Sequence, residues 1–180
     1  AVLALLADVH ARGHDVGLHT SYDTFRSPDR MRGELQTLVD ACRRAGFEKS
    51  DWGVRQHYLR FEVPTTWRCQ DLAGLAHDST LGYAEVNGFR AGTCREFPVF
   101  DLGTHRPLGL RERPLLVMDV TIDEYLRLDF DQAAAHVEAL VSECRRHRGD
   151  AELLYHNSSL PGARQRAQYR ALVDALVRAG

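Results

Sequence analysis

The chain has 180 residues, 44% hydrophobic and 27% charged, with a formal net charge of −2. That is enough chain for one domain with a sizeable core. Its scattered arginines and acids give no basic block to attract nucleic acid, and no apolar run approaches the ~20 residues of a membrane helix.

Val2, Leu5, Leu6 and Val9 keep helical spacing until Gly13. The opening segment therefore reads as the buried face of a helix and not as a signal peptide. Starting at Ala1 inside that helix, the chain reads as a piece of a longer protein. A short strand is expected from His14 to His19. Ser27 as cap, Pro28 in the first turn and Asp29 beside them mark a helix start. Met31, Leu35, Leu38, Val39 and Cys42 give that helix its apolar face, and Gly46 ends it.

Trp52 to Tyr58 predicts the next strand and Thr65 to Ala76 the next helix. From His77 to Asp101, Gly82, Gly88, Gly92 and Pro98 suggest short strands joined by turns. Pro114 to Val120 is a continuous apolar run, the mark of a strand covered on both faces. Asp131 to His147 predicts a helix with Ala135, Val137, Leu140, Val141 and Cys144 inward. Glu152 to His156 predicts the last strand, and Ala163 to Ala179 the last helix. Strands alternating with helices imply parallel βαβ units in a single α/β domain over residues 1–180. Cys42, Cys69, Cys94 and Cys144 are far apart in sequence and read as free thiols of a reducing, cytoplasmic compartment.

In parallel α/β folds the functional side chains gather where strands end and βα loops begin. His19, Arg55, His57, Asp78, Asp119 and His156 each fall at or just past an expected strand end. Among them, Gly13-His14-Asp15-Val16-Gly17-Leu18-His19-Thr20 resembles the Gly-His-Glu-Ile-Gly-x-His-Thr stretch of the polysaccharide deacetylases. This is the NodB-homology family, carbohydrate esterase family four. Arg55-Gln56-His57-Tyr58 resembles that family's Arg-x-Pro-Tyr motif, with His57 where Pro is usual. Leu154-Tyr155-His156 matches its Leu-x-His, and Asp78-Ser79-Thr80-Leu81 stands at the place of the motif between them, without its usual Asp-Trp ending.

The resemblance implies a distorted (β/α) barrel of the deacetylase type, partial at its N-terminus. The first strand, with the family's Thr-Phe-Asp-Asp motif, would precede residue 1 or be lacking in this branch. It implies a metal-dependent hydrolase that removes an acyl group from a carbohydrate amide or ester. His19 would bind a divalent metal, usually zinc. Asp23 stands where the second metal His belongs, and a carboxylate can ligate zinc. Arg55 would orient an acid, the Tyr58 backbone amide would help hold the oxyanion, and His156 would protonate the leaving group.

The residues themselves leave alternatives open. His19 also has a reading as a hydrogen-bonded structural His, and Asp23 one as a turn cap. His57 can replace the missing metal His, contact substrate, or sit as a satisfied buried His. Asp78, Arg90 and Asp119 are candidates for substrate contact, though Asp78 and Arg90 could instead hold loops together. A non-catalytic barrel that binds a carbohydrate is the second reading of the whole.

Overall fold

A computed structural model describes residues 1–177 as a mixed α/β fold. The chain divides into two units: residues 1–80 with 97–112, and residues 81–96 with the chain from Arg113 onward.

The first unit holds α1 (Val2–Ala11), β1 (Leu18–His19), α2 (Pro28–Arg44), β2 (Gly53–Arg55), α3 (Thr65–Leu72), β3 (His77–Asp78), β4 (Phe97–Asp101) and β5 (Arg106–Glu112). Its sheet runs β1-β2-β3-β5-β4. The pairs β1–β2, β2–β3 and β3–β5 are parallel, and β4 closes one edge antiparallel to β5.

Several strands are shorter than their sequence patterns. Of His14 to His19 only Leu18 and His19 pair with a neighbour, against Val54 and Arg55. The strand expected to reach Tyr58 ends at Arg55, because the chain turns into a 3-10 turn at His57–Leu59 with Tyr58 at φ 57° and Leu59 at φ 50°. Helix α3 stops at Leu72, and Gly74 at φ +83° turns the chain out of the helix before Ala76. The strand missing from the expectation is β5. Its Arg, Pro and Gly content reads as loop, yet β3 and β4 pair it on both sides and bury Leu110 and Glu112.

Helix α2 follows its signals closely. Ser27 accepts from the Arg30 N–H and Pro28 opens the first turn, while Met31, Leu35 and Cys42 are buried. Burying each such side chain stabilises the unit by roughly 1.5–3 kcal/mol. They join Leu18, Phe47, Trp52, Val54, Cys69, Leu75, Val99 and Leu110 in one core. Helix α1 forms where expected but buries no residue fully: Leu6 packs against the core, while Val2 and Leu5 are exposed. A two-residue strand follows it and offers little surface for the helix to cover.

The second unit contains β6 (Leu115–Met118), a π-helical turn (Thr121–Tyr125), α4 (Phe130–Arg146), β7 (Glu152–Leu154) and α5 (Ala163–Val177). The expected end of the last helix at Ala179 lies outside the described residues. All four β6 residues are buried, as the unbroken apolar run required, and β6 pairs in parallel with β7 through Met118 and Leu154. Asp129 and Gln132 form a reciprocal capping box at the start of α4. The helix turns Ala133, Val137, Val141 and Cys144 into the core, whereas Ala135, expected inward, is exposed. Positions 133, 137, 141 and 144 keep the 4-4-3 spacing of one stripe, and Ala135 lies off it.

All four cysteines are buried free thiols. None of the described helices is long and apolar enough to cross a membrane.

Candidate functional site

In the first unit, parallel pairing of His19 with Arg55 brings the end of β1 beside the end of β2. His19 Nδ1 lies 3.0 Å from the Arg55 carbonyl, and His19 Nε2 lies 3.1 Å from His57 Nδ1. A carbonyl oxygen only accepts, so His19 donates from Nδ1. In the neutral pair His19 Nε2 therefore accepts, and His57 donates its Nδ1 proton to it. A carbonyl fixing one imidazole nitrogen so that the other faces a ligand is the arrangement of metal-binding histidines.

Two nitrogens on one tetrahedral zinc stand about 3.4 Å apart, given bonds of about 2.0–2.1 Å. The His19–His57 separation fits two positions of such a site. Asp23, expected to ligate with them, is instead paired with Arg60 at 2.9 Å. Among the described residues no group of three or more His, Cys, Asp or Glu is placed to hold a metal.

Aromatic rings surround this pair. Tyr58 lies 4.7 Å from His57, and Tyr22 lies 5.8 Å from Tyr58, each edge to face. The Arg60 guanidinium sits 3.9 Å over the Tyr22 ring and 4.2 Å over Phe25. Tyr58 is 78% exposed. Its left-handed backbone, followed by Leu59 in the same region, costs about 1–2 kcal/mol per residue and turns the tyrosine outward.

Arg55 donates from Nε to the Ser79 carbonyl at 2.9 Å. Asp78, a candidate for substrate contact, is fully buried and touches protein groups: Thr80 donates to its Oδ1, Glu112 faces it across the β3–β5 pairing, and its Oδ2 and the side-chain amide of Gln70 are buried without a hydrogen-bond partner among the described residues. Burial pushes Asp78 from its ordinary 3.8 up to about 6, against the opposing pull of Thr80, Glu112, Gln70 and the Arg55 charge. Asp78 and Glu112 face each other in the β3–β5 register, and Trp67 Nε1 donates to Glu112 at 2.9 Å.

In the second unit, Asp119 directly follows β6 and His156 follows β7 by two residues. Asp119 is 1% exposed and binds His156 twice: the His156 backbone N–H donates to Oδ2 at 2.9 Å, and ring Nδ1 donates to Oδ1 at 2.7 Å. Oδ1 also accepts from the Val120 N–H at 2.9 Å. The carboxylate accepts only, so it holds the proton on Nδ1 and leaves Nε2 as the exchanging position. The His156 side chain is 38% exposed. A buried acid thus orients an imidazole that solvent and ligands can reach. Arg90, in the same unit, donates to the Gly82 carbonyl at 2.7 Å and lies over the Tyr83 ring.

The strand-end pattern in the sequence found His19, Arg55, His57, Asp78, Asp119 and His156, and the structure assembles them into an imidazole pair, a buried acid group and an Asp–His dyad. It did not find Thr20, Gln56, Thr80, Gln70 or Glu112. The first three alternate with the chosen residues, and a row of polar groups continuing past three neighbouring strand ends was the available signal. Glu112 gave none, because Arg111-Glu112-Arg113 reads as an exposed charged run.

Comparison with protein-family models and with the curated proteins finds no match to this chain.

Proposed function

We propose that this chain is a hydrolase that removes an acyl group, acetyl above all, from an amide or ester on a carbohydrate, on a barrel of the polysaccharide-deacetylase type. The observation that carries the reading is the Asp119–His156 dyad. Hydrolysis needs a group that delivers a proton to the departing nitrogen or oxygen. With Nδ1–H held by Asp119, His156 can take a proton on Nε2, carry the charge beside a buried carboxylate, and release it at that same atom.

Within the first unit, Arg55 enters this reading as a group that orients an acid and the Tyr58 backbone amide as one that helps hold an oxyanion; within the second, Arg90 enters as a substrate contact. His19 Nε2 and His57 Nδ1 are the proposed holders of a divalent metal, zinc by preference. When bound, such an ion supplies Lewis-acid polarisation of a carbonyl. The four free buried thiols support placing the protein in the cytoplasm.

The test is acetate release from acetylated amino sugars, with and without added zinc, for wild type, His156→Ala and Asp119→Asn. Release by wild type that falls at least 100-fold in His156→Ala supports the proposal; no release by wild type with any divalent metal sinks it. One observation favours a second reading, a carbohydrate-binding protein without catalysis: Tyr22 and Tyr58 are both more than half exposed, which suits stacking on a sugar ring. Sugar binding without acetate release would select it.

A further inference from the structure

We infer that Thr20, Gln56, Thr80 and Asp78 form a buried positioning row that sets the separation and the tautomers of the His19–His57 pair. Thr20 directly follows His19, and Gln56 lies between Arg55 and His57. Thr20 Oγ1 donates to Gln56 Oε1 at 2.6 Å, tying the two loops together one residue from each imidazole. The Thr20 N–H also points to the Arg55 carbonyl, the acceptor that fixes His19 Nδ1.

Gln56 is held in turn from β3. Its backbone N–H donates to Thr80 Oγ1 at 2.9 Å, and Thr80 donates to Asp78 Oδ1. A backbone N–H can only donate, so the Thr80 hydroxyl accepts from Gln56, and when Asp78 is ionised the hydroxyl sends its single proton to Asp78. The direction of this link is therefore set whenever Asp78 carries its charge. None of the four residues is more than 2% exposed, and water cannot replace a lost member. Removing the Thr80 hydroxyl leaves a buried amide and a buried carboxyl oxygen both short of a partner, and such groups move to recover one. The segment that moves carries His57.

These are positioning residues. Their role deepens the metal reading of the two imidazoles and rests on it for the effect on zinc affinity, whereas the tautomers are read without metal. The experiment records long-range ¹H–¹⁵N spectra of the metal-free protein and measures zinc binding by calorimetry, for wild type, Thr80→Val, Thr80→Ser and Thr20→Val. Wild type is expected to show one tautomer at His19, protonated on Nδ1. Thr80→Val is expected to mix tautomers at the pair and weaken zinc binding roughly 10-fold, the usual effect of losing a group that orients a ligand. Thr80→Ser, which restores the hydroxyl, is expected to return both to wild-type behaviour. If Thr80→Val does not fold, Thr20→Val carries the test with the same expectation.

Mixed tautomers at His19 in wild type would overturn the inference. So would folded valine variants that keep the wild-type tautomers. If zinc does not bind wild type while the tautomers respond to Thr80→Val, the positioning row stands and the metal reading falls.

Discussion

Asp78→Asn tests the physical account of the buried acid group through the pH dependence of stability. In the folded chain Asp78 titrates at about 6 and in the unfolded chain at its ordinary 3.8. The raised carboxyl contributes its full stability below 3.8 and loses it as pH rises through 6. At 1.36 kcal/mol per tenfold, the loss at pH 7 is about 3 kcal/mol, of which about 2 kcal/mol falls between pH 4.5 and pH 7. Asp15 and Asp101 run the other way. Lys49 and the Val16 N–H outweigh burial at Asp15, and Arg68 pulls Asp101 down, so the stability they contribute is lost only below their ordinary range.

Asparagine keeps an oxygen for Thr80 and turns an N–H toward Glu112. Urea unfolding followed by circular dichroism at pH 4.5 and 7 measures the effect. With a slope of about 2 kcal/mol per molar urea, the wild-type midpoint should fall by roughly 1 M relative to the variant across this interval. Parallel midpoints for the two proteins over the whole interval would refute the claim that burial of Asp78 sets this carboxyl.

Four further outcomes follow from single contacts. Asp119→Asn keeps the shape of the dyad but lets His156 Nδ1 accept instead of donate, so the proposed acetate release should drop by roughly 10²-fold or more, measured as kcat at saturating substrate. Gly149→Ala places a Cβ 2.2 Å from Cys94 Sγ and 2.9 Å from its backbone oxygen; overpacking of this kind costs about 1–3 kcal/mol, read as a lower thermal midpoint. Asp129→Ala removes the capping box of α4 and should cost about 1 kcal/mol in urea unfolding. Cys144, pushed up to about 12 by burial and the neighbouring Cys94, should resist iodoacetamide at pH 8 until the protein is unfolded, as followed by mass spectrometry.

The sequence by itself determined the elements whose signals are local. Ser27 and Pro28 start α2, the apolar stripe from Met31 to Cys42 covers the core, and an unbroken Leu115–Met118 run becomes a strand buried throughout. It also marked the strand end at His19 and placed Asp119 and His156 within two residues of theirs, because polar residues closing an apolar run are visible without knowing any partner. Tertiary structure decided the rest. Strand β5 exists because β3 and β4 pair it, and its composition carries no strand signal. Glu112 is buried because pairing sets it against Asp78, a distance of 34 residues in sequence. Asp23 joins Arg60, His57 joins His19, and Asp119 grips His156 because hydrogen-bond geometry acts across space. A one-dimensional pattern can nominate such residues, but only the register of parallel strands decides which of them meet.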